Sequence, residues 1–173
     1  MLGRSVAVFA IVNAFACARA QTSGPPAWGP LDKLLGSWVA DSGSGGRPGA
    51  AIRGGETWAR DLDGRVLVRH DFSEYPASTS RPAFRHDGLM VIAPAAAGFE
   101  AYSFDNEGHV ITYGVVAGDT AVVLTSLLAT GQPQFRLTYR PTSSGYAVGF
   151  EIATPDRPGV FRPYVTGGLH HAP

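Results

Sequence analysis

The residues of this chain best suited by type and spacing to do chemistry are two histidines, His70 and His86. Two imidazoles facing one another inside a protein can orient a ligand's polar head, relay a proton or contribute to a metal site. Whether they meet depends on how the strands on either side of the Tyr75 to Pro82 turn signal pair, since cross-strand partners are arranged symmetrically about a turn. Pairing Asp71 with Arg85 and Arg69 with Asp87 puts two opposite-charge pairs on one face, which is then expected to face solvent. The other face holds Phe72 opposite Phe84, His70 opposite His86 and Val66 opposite Met90, with the small Thr57 and Ala59 beside the imidazoles. That face is expected to line the interior. A structural histidine pair held by local hydrogen bonds is the plainer assignment, and a polar pocket for a ligand is the sharper one. A metal site would need at least one more ligand, and the sequence offers neither a helical His-x-x-x-His pair nor a cysteine cluster, so no metal is expected.

Three tyrosines, Tyr102, Tyr113 and Tyr139, are expected to add inward hydroxyls or aromatic bulk. The His170-His171 pair sits near the C-terminus and is expected on the surface. No Gly-x-Ser-x-Gly elbow, phosphate loop or persuasive pair of catalytic carboxylates is present. No catalytic residue is therefore assigned, and a binding role is favoured over an enzymatic one.

The elements that must position these side chains are strands. From Ser37 onward, β-branched and aromatic runs alternate with turn signals such as Asp63-Gly64, Asp105 to Gly108 and Thr142 to Gly145, and nine such turns separate ten strands. Only Trp28 to Gly36 reads as a short helical turn, with Pro30 near its start and Gly36 as its stop. A second hairpin can be registered in the same way as the first: around Thr142 to Gly145, Arg136 faces Glu151 outside, while Phe135, Leu137 and Tyr139 face Ile152, Phe150 and Val148 inside. Successive antiparallel strands with one apolar face and no helices to cover it must form a sandwich or close into a barrel, and short hairpins favour the barrel. The expected fold is all-β, a closed up-and-down barrel of about ten strands. At a tilt of roughly 40° such a barrel would leave a central space of about 8 to 10 Å.

The chain has 173 residues, with 14 basic against 14 acidic side chains and 45% hydrophobic residues. That balance excludes a disordered chain and a basic nucleic-acid binder. Met1 to Ala20 carries Arg4, an apolar run from Val6 to Ala18 and the small-x-small ending Ala18-Arg19-Ala20, which reads as an export signal cleaved before Gln21. The protein is therefore expected in the periplasm or secreted, with a linker over 21–27 and one domain over 28–173. The single cysteine, Cys17, leaves with the leader; only if Cys17 were lipidated would the protein be membrane-anchored.

Leu34-Leu35-Gly36-Ser37-Trp38, Gly54-Gly55-Glu56-Thr57-Trp58, Asp63-Gly64-Arg65-Val66-Leu67-Val68, Gly88-Leu89-Met90-Val91-Ile92 and Tyr102-Ser103-Phe104-Asp105-Asn106-Glu107-Gly108 occur in that order. Together they resemble a bacterial family of lipocalin-like, or calycin, barrels. A more distant likeness, carried by Gly36-Ser37-Trp38 and the stretch Gly43 to Pro48, is to nitrobindin-type barrels. The resemblance implies an internal site for a small, largely apolar molecule, no established reaction, and a Trp38 that plugs one end of the barrel, with Arg162 on the last strand expected to stack on it. It implies no cofactor, although the nitrobindin likeness leaves haem as an alternative. The candidate ligand-binding set is Trp38, His70, Phe72, His86, Met90, Tyr102, Tyr113 and Tyr139.

Overall fold

The computed structural model describes residues 24–41 and 51–173. The leader with Cys17 and the glycine-rich stretch from Gly43 to Gly49 lie outside the described residues. One 3-10 turn, Gly29–Leu34, precedes ten strands: β1 Gly36–Ala40, β2 Arg53–Asp61, β3 Val66–Tyr75, β4 Phe84–Ala95, β5 Gly98–Asp105, β6 Val110–Ala117, β7 Val122–Ser126, β8 Gln134–Pro141, β9 Gly145–Ala153 and β10 Arg162–His171. Each strand pairs antiparallel with its neighbours in the chain, and β1 also pairs with β10, Trp38 opposite His171. The sheet thus closes on itself as the all-β up-and-down barrel expected from the turn rhythm, and among the described residues no strand edge is left open.

The turns β2–β3, β4–β5, β6–β7 and β8–β9 gather at one end of the barrel, and the 3-10 turn closes it. Pro30 lies in the first helical positions and Gly36, at φ 119°, lets the chain turn away into β1. A short turn leaves its last carbonyls without intrahelical donors, and barrel side chains supply them. Trp38 Nε1 donates to Leu34 O at 2.7 Å and Tyr146 Oη to Lys33 O at 2.8 Å. Leu31 and Leu34 point into the barrel and are fully buried, while Trp28 stacks on Phe99 with centroids 5.0 Å apart. The opposite end, where the β3–β4, β5–β6, β7–β8 and β9–β10 connections lie, has no such plug among the described residues.

The β8/β9 hairpin has the expected register. Arg136 faces Glu151 through bonds of 2.7 and 3.0 Å, and Leu137 faces Phe150. The β3/β4 hairpin does not. Arg69 lies opposite Met90, His70 opposite Leu89 and Phe72 opposite Asp87, a shift of an odd number of residues from the charge-paired register. Because side chains alternate between faces, the shift leaves β4 with Met90 inside as expected but turns β3 over. Leu67 and Arg69 face the interior, and Val66, Val68, His70 and Phe72 face out. Exposed ion pairs contribute only about 0 to 1 kcal/mol, too little to set a register against burial. Burial is decided by β2, whose Glu56 and Trp58 lie opposite Asp71 and Arg69.

Candidate functional site

Glu56 and Trp58 on β2, Arg69 and Asp71 on β3 and Tyr139 on β8 meet in the middle of the barrel. Strands β3 and β8 stand on opposite sides of the ring. Arg69 Nη1 nevertheless donates to Tyr139 Oη over 2.8 Å, so the lumen is bridged at this level. Tyr139 Oη in turn donates to Glu56 Oε2 at 2.9 Å, and Trp58 Nε1 donates to Glu56 Oε1 at 2.8 Å. The Trp58 ring packs on Tyr139 at 5.9 Å with an 80° interplanar angle, and the Arg69 guanidinium lies 5.8 Å from the Trp58 ring centre. A central space free of side chains, expected from strand number alone, is therefore not what this sequence builds. Large residues on facing strands reach far enough to touch.

The charges of the floor are mutually dependent. Burial pushes the Glu56 carboxyl up from its ordinary value, opposed by the Arg69 charge and by the Trp58 and Tyr139 donors. Burial also works against the Arg69 charge, but the Tyr139, Asp71 and Glu56 oxygens outweigh it and hold the guanidinium protonated. Arg69 Nη2 stands 2.7 Å from Asp71 Oδ1 in an ion pair. Arg69 Nε is buried with no hydrogen-bond partner among the described residues, and the buried Asp71 Oδ1 has that ion pair alone. Tyr113, on β6 beside this group, has its hydroxyl pushed up to about 12 by burial.

From the floor toward the open end the inner face changes character. Ser73, Gly88, Ser103, Ile111, Phe135 and Phe150 are inward positions that are only half-buried. On β5 the contrast falls within two residues: Ala101 is fully buried, and Ser103 on the same face is not. A cup results, with polar groups along β3 to β5 and an apolar wall on β8 and β9, where Phe135 and Phe150 stack at 5.7 Å. Gly88 is part of its construction, because a Cβ there would fall 2.5 Å from Asp71 Oδ1. At the rim His86 Nδ1 lies 3.3 Å from Glu107 Oε1, and His109 Nδ1 lies 2.8 Å from Asp105 Oδ2.

Of the residues singled out in the sequence, Met90, Tyr113 and Tyr139 are buried inside the barrel. Trp38 packs at the closed end as expected, but its stacking partner is His171, 3.8 Å away, because Arg162 sits at the far end of β10. His170 bonds to Asp41 at 2.9 Å. His86 faces inward at the rim, whereas His70 is on the outside of the sheet, so the two imidazoles do not meet. Phe72 is also outside, under the Arg85 guanidinium at 4.1 Å, and Tyr102 is exposed with its hydroxyl donating to Glu100. His70 and Phe72 instead border a depression of about 470 Å³ on the outer face of β1 to β4, beside Gly55.

Glu56, Trp58, Arg69 and Asp71 are the residues of this central group that the candidate set lacks. Their signal was Asp63-Gly64: both residues adopt positive φ, and a tight turn centred there places Trp58 across from Arg69 and Glu56 across from Asp71. Among the described residues no group of three or more His, Cys, Asp or Glu is placed to hold a metal ion. No protein-family model matches the chain, and no match is found among the curated proteins.

Proposed function

We propose that this barrel binds a small, largely apolar or aromatic molecule in its open half, as the lipocalin-like resemblance implies, and that it does so outside the cytoplasm after export on its leader. One observation carries the reading: the inner face above the Arg69–Tyr139 bridge is half-buried rather than packed, from Ser103 to Phe150. Ligand pockets are concave, mainly apolar and fitted with a few polar groups that orient the guest, and the stacked Phe135 and Phe150 facing Asp71 and Ser103 have that composition. Titration of the protein with a naphthalene-based probe, followed by probe fluorescence, tests the reading. About one probe per chain should bind, and Ser103→Trp, which fills the cup from β5, should abolish binding. Binding that survives Ser103→Trp, or no binding by the wild type, would overturn it.

A further inference from the structure

One side of the open mouth carries a group of exposed apolar side chains where β5, β6 and β7 end. Phe104 on β5 lies opposite Val110 on β6, and Leu127, just past β7, bonds through its backbone N–H to Thr112 O at 2.9 Å. Phe104 and Val110 alternate with Ser103 and Ile111, which face the cup, and therefore stand on the outer wall. Phe104 is 41% exposed, Leu127 56%, Val110 68% and Leu128 69%. The β7–β8 connection over 127–133 has no charged side chain. Ionic groups bordering this lip are already answered: Asp105 by His109 at 2.8 Å, Glu107 by His86 at 3.3 Å, and Glu100 by the Tyr102 hydroxyl at 2.9 Å.

Scattered exposed apolar residues are ordinary, but a contiguous group on one rim marks a surface that meets something. We infer that this lip docks on a lipid surface with electrically neutral headgroups. A second copy of the chain fits less well, because the wall is convex. A ten-strand barrel has a backbone radius of about 10 Å. Two such walls meet along a narrow strip, short of the roughly 800 Å² per partner that a stable pair buries. A fluid interface follows the curvature instead, and its affinity comes from the apolar area it covers. Anionic headgroups are not required, since neither Phe104, Val110 nor the 127–133 connection brings a Lys or Arg to the contact. The lip borders the cup, so on the reading of the cup as a binding site an apolar guest passes between bilayer and cup without crossing water.

Flotation of the exported protein with phosphatidylcholine vesicles, with no guest present, tests the docking alone; its failure would leave the cup standing, as failure of probe binding would leave the lip. The protein should float with the vesicles, and the bound fraction should change little when salt is raised or phosphatidylglycerol is added. Leu127→Asp combined with Leu128→Asp should weaken partition roughly tenfold or more, and Val110→Asp should weaken it several-fold. Leu62→Asp, which alters a leucine 65% exposed at the closed end, should leave partition unchanged. No flotation by the folded wild type, flotation only with phosphatidylglycerol at low salt, or equal loss in the Leu62→Asp protein would overturn the inference. A stable dimer in sedimentation that the double variant dissolves would overturn it too, by placing a second copy on the lip. Should the double variant fail to fold, Val110→Asp decides, and undiminished flotation of that folded protein counts against the lip.

Discussion

The two halves of this barrel are built from the same ten strands and do opposite things with their interior. In the closed half, Trp38, Tyr146, Leu31, Leu34, Leu67 and Ile92 are all buried, and the 3-10 turn is locked by the Trp38 and Tyr146 hydrogen bonds. In the open half Ser73, Gly88 and Ser103 on one side and two phenylalanines on the other face inward, and none of these is fully buried. The boundary between them is a charged bridge, Glu56–Tyr139–Arg69–Asp71, rather than an apolar layer. Barrel closure therefore fixes the diameter, but residue size decides which part of the lumen is core and which is site.

The largest expected effect lies at the boundary. Arg69→Met removes the only cation from a floor that holds Glu56 and Asp71, and breaking a buried ion pair on one side costs about 3 to 5 kcal/mol. Urea denaturation should show this loss, and a shift of less than about 1 kcal/mol would place Arg69 on the surface after all. Within the two halves, Trp38→Ala should cost about 3 to 5 kcal/mol by emptying the closed end. Ser103→Ala in the open half should stay within about 0.5 kcal/mol. Equal thermal shifts for these two variants would erase the distinction between the halves.

Acidity separates the floor from the outer surface by sign. Burial raises the folded-state pKa of Glu56 above its ordinary 4.5, so its contribution to stability is whole below that value and is lost as pH rises through the raised one. Glu56→Gln, which does not titrate, should therefore gain on the wild type between about pH 4 and about pH 8, measured as the difference in unfolding free energy. A difference that is flat or moves the other way would contradict the burial argument. Glu151 on the outside has the opposite sign: its bonds to Arg136 lower its pKa, so its contribution is present above 4.5 and lost on acidification. Its size is among the smallest expected here. Arg136→Ala should cost about 0 to 1 kcal/mol at neutral pH and less in acid, and a loss of several kcal/mol would show that the pair is not the surface contact described.

How far the sequence could be read follows the same division. The barrel, its ten strands, the short helical turn and the β8/β9 register were legible because turn residues and alternation act locally, and because Arg136 and Glu151 lie on the solvent face, where opposite charges pair. The β3/β4 register was misread by applying that rule to Arg69 and Asp71, whose charges answer each other inside the barrel, where Arg69 also meets Tyr139 and Glu56. Nothing near Arg69 in the chain announces a partner 70 residues away. Hydrophobic alternation pointed the wrong way too, since Val66, Val68 and Phe72 look like an inner face and are covered only partly, from outside, by neighbours such as Arg85. The Asp63-Gly64 turn would have placed Arg69 beside Trp58, and with it most of the floor.

The central claim, a packed half and an open half meeting inside one barrel, is tested most directly by thiol labelling along β5. In a chain carrying Cys17→Ser, the variants Ala101→Cys and Ser103→Cys place a single thiol on the same inner face, one residue pair apart, on either side of the boundary. A small methanethiosulfonate reagent, with modification followed by mass, should label the Ser103→Cys protein rapidly under native conditions and leave the Ala101→Cys protein unmodified until it is unfolded. Equal labelling of the two native proteins, fast or slow, would contradict the account.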